Sequence, residues 1–270
     1  MVKLLKSYKD IDFLKSPDAR QIRILCELTA PKASFERNQI ENTIVFFGSA
    51  RSVSQEDADQ QLAELKIKFE GQTLNADQKA ELKKSEIKVK LAKYYEAARE
   101  LAHKLTTWSM ALPNAKDRFY ICSGGGPGMM EASNRGANEA GGDSIGFNIS
   151  LPFEQDANDY QTKELSHEFH YFFIRKFWFA YLAKSLVVFP GGFGTMDELF
   201  EIMTLIQTQK IEKQMPIILY GAEFWNGIMN FENLVEWGVI NESDLNLFKI
   251  VDDTETAFQY LKAQLTKYYL

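Results

Sequence analysis

Arg175, Glu198 and two glycine-rich runs are the parts of this chain with chemistry in them. Glycine at 191, 192 and 194, followed by Thr195, lets backbone N–H groups approach an anion closely. A helix opening just after them would aim its unpaired donors and positive dipole end at the same point, so a phosphate-sized anion is the expected ligand. Thr195 and Glu198 also have capping-box spacing, which gives Glu198 a structural reading as the residue that closes the helix N-terminus. Arg175 and Lys176 fall in the first turn of another expected helix, where each cation opposes the macrodipole by about 0.3–1 kcal/mol. Such a placement asks for a negative partner. Glu131, Glu198, Glu201 and a ligand phosphate all qualify.

Other chemistries lack their residues. The Walker pattern for nucleoside triphosphates is absent, and Gly124, Gly126 and Gly128 fall at alternate positions rather than as G-x-G-x-x-G. His167 and His170 are three apart on an expected strand, so their rings diverge and no metal site is expected. Ser49 and Ser123 have no His/Asp partnership for a nucleophilic triad. The aromatic group from Phe169 to Tyr181 reads as core or as a subunit interface.

These residues need a scaffold, and the hydrophobic periodicity supplies one. Apolar runs at Thr43–Phe47, Phe119–Cys122, Ser144–Ile149, His167–Phe173, Leu186–Phe189 and Pro216–Tyr220 read as six strands alternating with helical segments. That alternation predicts an α/β class, a Rossmann-like doubly wound parallel sheet with helices on both faces. Residues 1–42 read as a helical extension, and about 53–93 as a helical insert whose second helix starts at the capping box of Asn75 and Gln78. Lys83, Lys84, Glu86, Lys88 and Lys90 read as a solvated face of that helix. A polar loop from Glu154 to Thr162 could cover a site. The glycine-rich turns follow strands, where ligands of such sheets bind, and Gly125–Glu131 echoes Gly191–Glu198 as a second strand–loop–helix corner.

With 270 residues, 45% of them hydrophobic, the chain can bury a large core in a single domain, 1–270, with appendages. A net charge of −6 argues against a nucleic-acid partner. Two cysteines are too few for a disulfide framework, charge interrupts the opening residues, and no apolar run reaches membrane-spanning length. A cytoplasmic protein without membrane contact is expected.

Pro190–Glu198, read as Pro-Gly-Gly-Phe-Gly-Thr-Met-Asp-Glu, resembles the PGGxGTxxE signature of the LOG ("lonely guy") family of cytokinin riboside 5′-monophosphate phosphoribohydrolases. Gly124–Ala132, Asn134–Ala137, Gly146–Ile149, Leu151–Gln155 and Phe172–Lys176 extend the likeness to the larger bacterial members, over residues 40 to 225. The insert departs from it. The resemblance implies a homodimer or higher homo-oligomer, without cofactor or metal, that splits a nucleoside 5′-monophosphate into base and ribose 5-phosphate. By motif it makes Arg175 and Glu198 the catalytic pair and assigns the phosphate to Gly191, Gly192, Gly194 and Thr195. Ser49, Gly125, Glu131, Asn148 and Lys176 follow as pocket residues. A non-catalytic nucleotide- or cofactor-binding carrier of the same fold is the alternative.

Overall fold

Seven parallel strands form one sheet in the computed structural model, which describes residues 4–151 and 156–270. They are β1 (Asn42–Phe47), β2 (Phe119–Ser123), β3 (Ser144–Ile149), β4 (His167–Phe169), β5 (Ala183–Val188), β6 (Ile217–Tyr220) and β7 (Phe248–Val251). Their spatial order is β4-β3-β2-β1-β5-β6-β7. The chain walks outward from β1 to β4, then returns to β1's other side with β5. This is the doubly wound arrangement that strand–helix alternation predicts.

The helices are α1 (Ile11–Lys15), α2 (Arg20–Asn38), α3 (Gln55–Lys68), α4 (Ala76–Met110), α5 (Met129–Glu139), α6 (Phe172–Leu182), α7 (Phe193–Gln207), α8 (Ala222–Ile228), α9 (Phe231–Glu236) and α10 (Thr254–Tyr269). They cover both faces because β1 is apolar on both. Val45 and Phe47 enter a core shared with α2, α6, α7, α8 and α9, whereas Ile44 and Phe46 enter one shared with α4, α5 and α10. Successive strand side chains point to opposite faces, so a continuous apolar run is what a sheet covered on both sides requires.

Three expectations change in detail. A seventh strand exists at Phe248–Val251, an edge strand of only four residues whose pattern of partial burial is too short to read as a period. The strand expected over His167–Phe173 stops at Phe169, where its partner β3 ends with the pair Ile149 and Phe169, and the aromatic residues beyond it enter α6. The charged first half of the insert's second helix is not merely solvated, as the cavity shows below.

The insert itself is helical as expected. Ser54 caps α3, and Asn75 and Gln78 form a reciprocal capping box at the start of α4. At 35 residues α4 is ~52 Å long. Its later half carries Tyr95, Ala98, Leu101 and Leu105 into the core, while its earlier half runs alongside α3. No helix among the described residues is long and apolar enough to cross a membrane.

Candidate functional site

The strand order reverses between β1 and β5, and the loops after β1, β2 and β5 gather at that point. Backbone bonds fix them to one another. The Ser49 N–H donates to the Pro190 carbonyl at 3.0 Å, and the Met129 N–H donates to the Ser49 carbonyl at 3.0 Å. The second contact depends on Gly128, whose φ of 73° and ψ of −130° are open to glycine alone, and a Cβ there would run into the Ser49 carbonyl. Together the loops border a cavity of about 1310 Å³.

Glycine starts α7 directly. Gly192 occupies the N-cap position, no side chain caps the helix, and Phe193 is its first residue. The capping-box reading of Thr195 and Glu198 is therefore corrected: the N-cap lies three residues earlier, so Thr195 is the third residue of the helix and Glu198 its sixth. Orphan N–H groups of the first turn are left without a side-chain partner, in a turn where Gly192, Phe193 and Gly194 are exposed. The positive end of α7 thus faces the cavity uncapped.

Glu198, freed from capping, sits one turn further in with 15% of its side chain exposed. Arg175 reaches it from α6, Nη1 to Oε1 at 3.7 Å. The guanidinium is held on three sides. Its Nε donates to the Phe147 carbonyl at 2.6 Å, its plane lies 5.1 Å from the Phe179 ring centroid, and Gly124 leaves the room that any Cβ would take from Nη2. Burial pushes the Glu198 carboxyl up to about 7 and pushes the Arg175 guanidinium down, each partly offset by the other's charge. The pair is close enough to interact and too far apart to form a hydrogen bond. Its members keep acceptor and donor capacity for a third group.

The remaining expected residues divide. Ser49, Glu131, Asn148, Gly191, Gly192, Gly194 and Thr195 line the cavity with Arg175 and Glu198. Asn148 is anchored by Gln161 at 2.9 Å, and Glu131 accepts from the Tyr95 hydroxyl at 2.6 Å. Gly125 supports the wall from outside the lining, its carbonyl accepting from the Asn158 N–H at 2.8 Å and Gln161 at 3.1 Å. Lys176 is likewise outside the lining. It pairs with Asp197 at 2.6 Å and Glu201 at 3.2 Å, so the negative partner demanded by a cation early in α6 comes from α7. Residues 154 and 155 of the expected covering loop lie outside the described residues; its later part, Asn158 to Thr162, bonds to the Gly125–Gly126 carbonyls and to Ser144.

Lys84, Ile87, Lys88 and Leu91 of α4, with Tyr95, complete the lining on the insert's side. Sequence reading missed them as site residues. Their spacing of three and four is a legible helical face, but only the fold shows that this face meets the cavity. Among the described residues no group of three or more His, Cys, Asp or Glu side chains is placed to hold a metal ion.

A family model described as "possible lysine decarboxylase" matches residues 130–261. The chain is similar to a cytokinin riboside 5′-monophosphate phosphoribohydrolase of Arabidopsis thaliana, with 26% identity over 177 residues, 63% of this chain and 71% of the relative. A probable enzyme of the same name from Oryza sativa subsp. japonica is 26% identical over 135 residues, and the match spans 49% of this chain and 57% of that protein's length. Among solved structures, the molybdenum cofactor carrier protein of Chlamydomonas reinhardtii aligns over 83% of this chain and 99% of its own, at 17% identity and a TM-score of 0.45.

Proposed function

We propose that this chain is a member of the LOG family that hydrolyses the N-glycosidic bond of a nucleoside 5′-monophosphate, AMP or a cytokinin ribotide, to free base and ribose 5-phosphate, a reading that the family model and the two similar phosphoribohydrolases support. The observation that carries the reading is the buried Arg175–Glu198 pair beside an uncapped, glycine-started helix in one cavity.

Each part has a role in that reaction. Gly191, Gly192, Gly194 and Thr195 bind the 5′-phosphate through the first turn of α7, an anchor that is equally strong before and during bond breaking. Breaking the C1′–N bond builds positive charge on the ribose, which the Glu198 carboxylate stabilises. The same carboxylate orients the incoming water and takes its proton as oxygen joins C1′. A group titrating at about 7 is well matched to proton transfer near neutral pH. Arg175, fixed by Phe147, offers its free N–H groups to the ribose or to negative charge on the leaving base.

The assembly we propose is a homodimer. On α6, Phe173, Phe177 and Tyr181 are 56%, 43% and 54% exposed at four-residue spacing, an apolar stripe of the kind that a second subunit covers.

Liquid chromatography of the protein incubated with AMP and with cytokinin ribotides tests the activity. Free base and ribose 5-phosphate should accumulate, and Glu198→Gln should reduce turnover by at least about 100-fold while leaving nucleotide affinity within a few-fold. Tight binding without turnover by the native protein would favour a nucleotide carrier instead.

A further inference from the structure

Tyr95 lies deep in the wall of the cavity, 1% exposed, on the α4 face that also presents Lys84, Ile87, Lys88 and Leu91. Its hydroxyl donates to one oxygen of Glu131 at 2.6 Å. Glu131 stands in the first turn of α5, where the helix dipole favours a carboxylate. Its other oxygen accepts nothing from the described residues. The cations around this corner do not pair with Glu131: Arg135 bonds to Glu139 at 2.9 Å, lies over the Tyr160 ring and reaches the Tyr95 hydroxyl, and Arg99 pairs with Glu139 at 2.6 Å. Glu131 is therefore not the partner of a salt bridge. It is a carboxylate held by a buried phenol, with one oxygen left for the cavity.

Resting on the phosphoribohydrolase reading, we propose that Glu131 is a substrate-recognition residue that accepts a hydrogen bond from a donor group of the nucleotide, and that Tyr95 is its positioning residue. An ionised carboxylate only accepts, so the matching group is a hydroxyl or an amine. A mononucleotide offers these in two places, the ribose hydroxyls and an exocyclic amine of the base. The Tyr95 bond fixes the carboxylate's rotamer before the ligand arrives, so less side-chain entropy is lost on binding. Position 95 belongs to the helix whose earlier turns form the insert, which ties recognition to the part of the chain that departs from the family pattern.

Calorimetry on Glu198→Gln protein, which keeps ligands intact, tests this with AMP, 2′-deoxy-AMP and purine riboside 5′-monophosphate. AMP should bind about tenfold more tightly than the analogue lacking the recognised donor. Loss of that preference on adding Glu131→Ala, and its weakening on adding Tyr95→Phe, with affinity for inorganic phosphate unchanged, is the expected result. Collapse in the 2′-deoxy arm assigns the bond to the ribose; collapse in the purine riboside arm assigns it to the base. Preferences that survive both substitutions overturn the proposal, as does an absence of binding by any of the three. Turnover of AMP by the native protein is scored separately, so an inactive protein that still shows the lost preference would sink the hydrolase reading alone.

Discussion

Glu198 shows how one residue's role follows from its surroundings. Had it closed a capping box it would accept from a backbone N–H and titrate low; one turn deeper, burial raises it to about 7 despite Arg175 at 3.7 Å. Two pH effects of stated sign result. The hydrolysis we propose needs the carboxylate, so kcat/KM should fall about tenfold per pH unit below about pH 7 and level off above it. A profile that stays flat between about pH 5 and 8 would remove Glu198 as the base. Stability runs the other way. The unfolded chain releases this proton near 4.5, so up to about pH 7 the folded state holds one proton more, and the stabilisation from this group declines as pH rises through that window. Comparing urea midpoints of native and Glu198→Gln protein across the same range would isolate it.

Among the elements, the glycine-started helices matter most, and they reach their geometry differently. At α7, Gly192 begins the helix with no cap and leaves its first turn open. At α5, Gly128 takes a conformation closed to other residues so that the following Met129 N–H can dock on the β1 loop. Gly128→Ala should therefore cost roughly 1–3 kcal/mol from backbone strain, with more from the collision with the Ser49 carbonyl. Urea denaturation should show the loss as a lower midpoint with an unchanged slope. A midpoint equal to the native protein's would mean that the turn relaxes without strain. Helix α4 makes the complementary point, since one continuous helix serves as core in its later half and as cavity wall earlier on.

For the whole molecule, the doubly wound sheet sets where everything meets. Loops separated by some 140 residues converge because β5 pairs with β1, the reversal point of the strand order. The same packing leaves the α6 stripe uncovered. If the proposed homodimer uses this stripe, Phe177→Glu should shift sedimentation-equilibrium mass from dimer to monomer by placing a charge that must be desolvated there. A native protein that sediments as a monomer at micromolar concentration would refute the dimer.

The sequence by itself determined the strand–helix alternation, the parallel sheet and the glycine-rich loop after β5, because periodicity and glycine act locally and leave a local record. The Asn75 capping box is of this kind, and so are the two separate stretches that carry Arg175 and Glu198. Tertiary structure decided what depends on contacts distant in sequence. It set the true start of α7, the diversion of Lys176 to Asp197 and Glu201, and the turn of the Lys84–Tyr95 face toward the cavity. Burial did the rest: the environment that raises Glu198 and positions Tyr95 on Glu131 is assembled from α4, α5, α6 and α7, and it exists only once all four have packed.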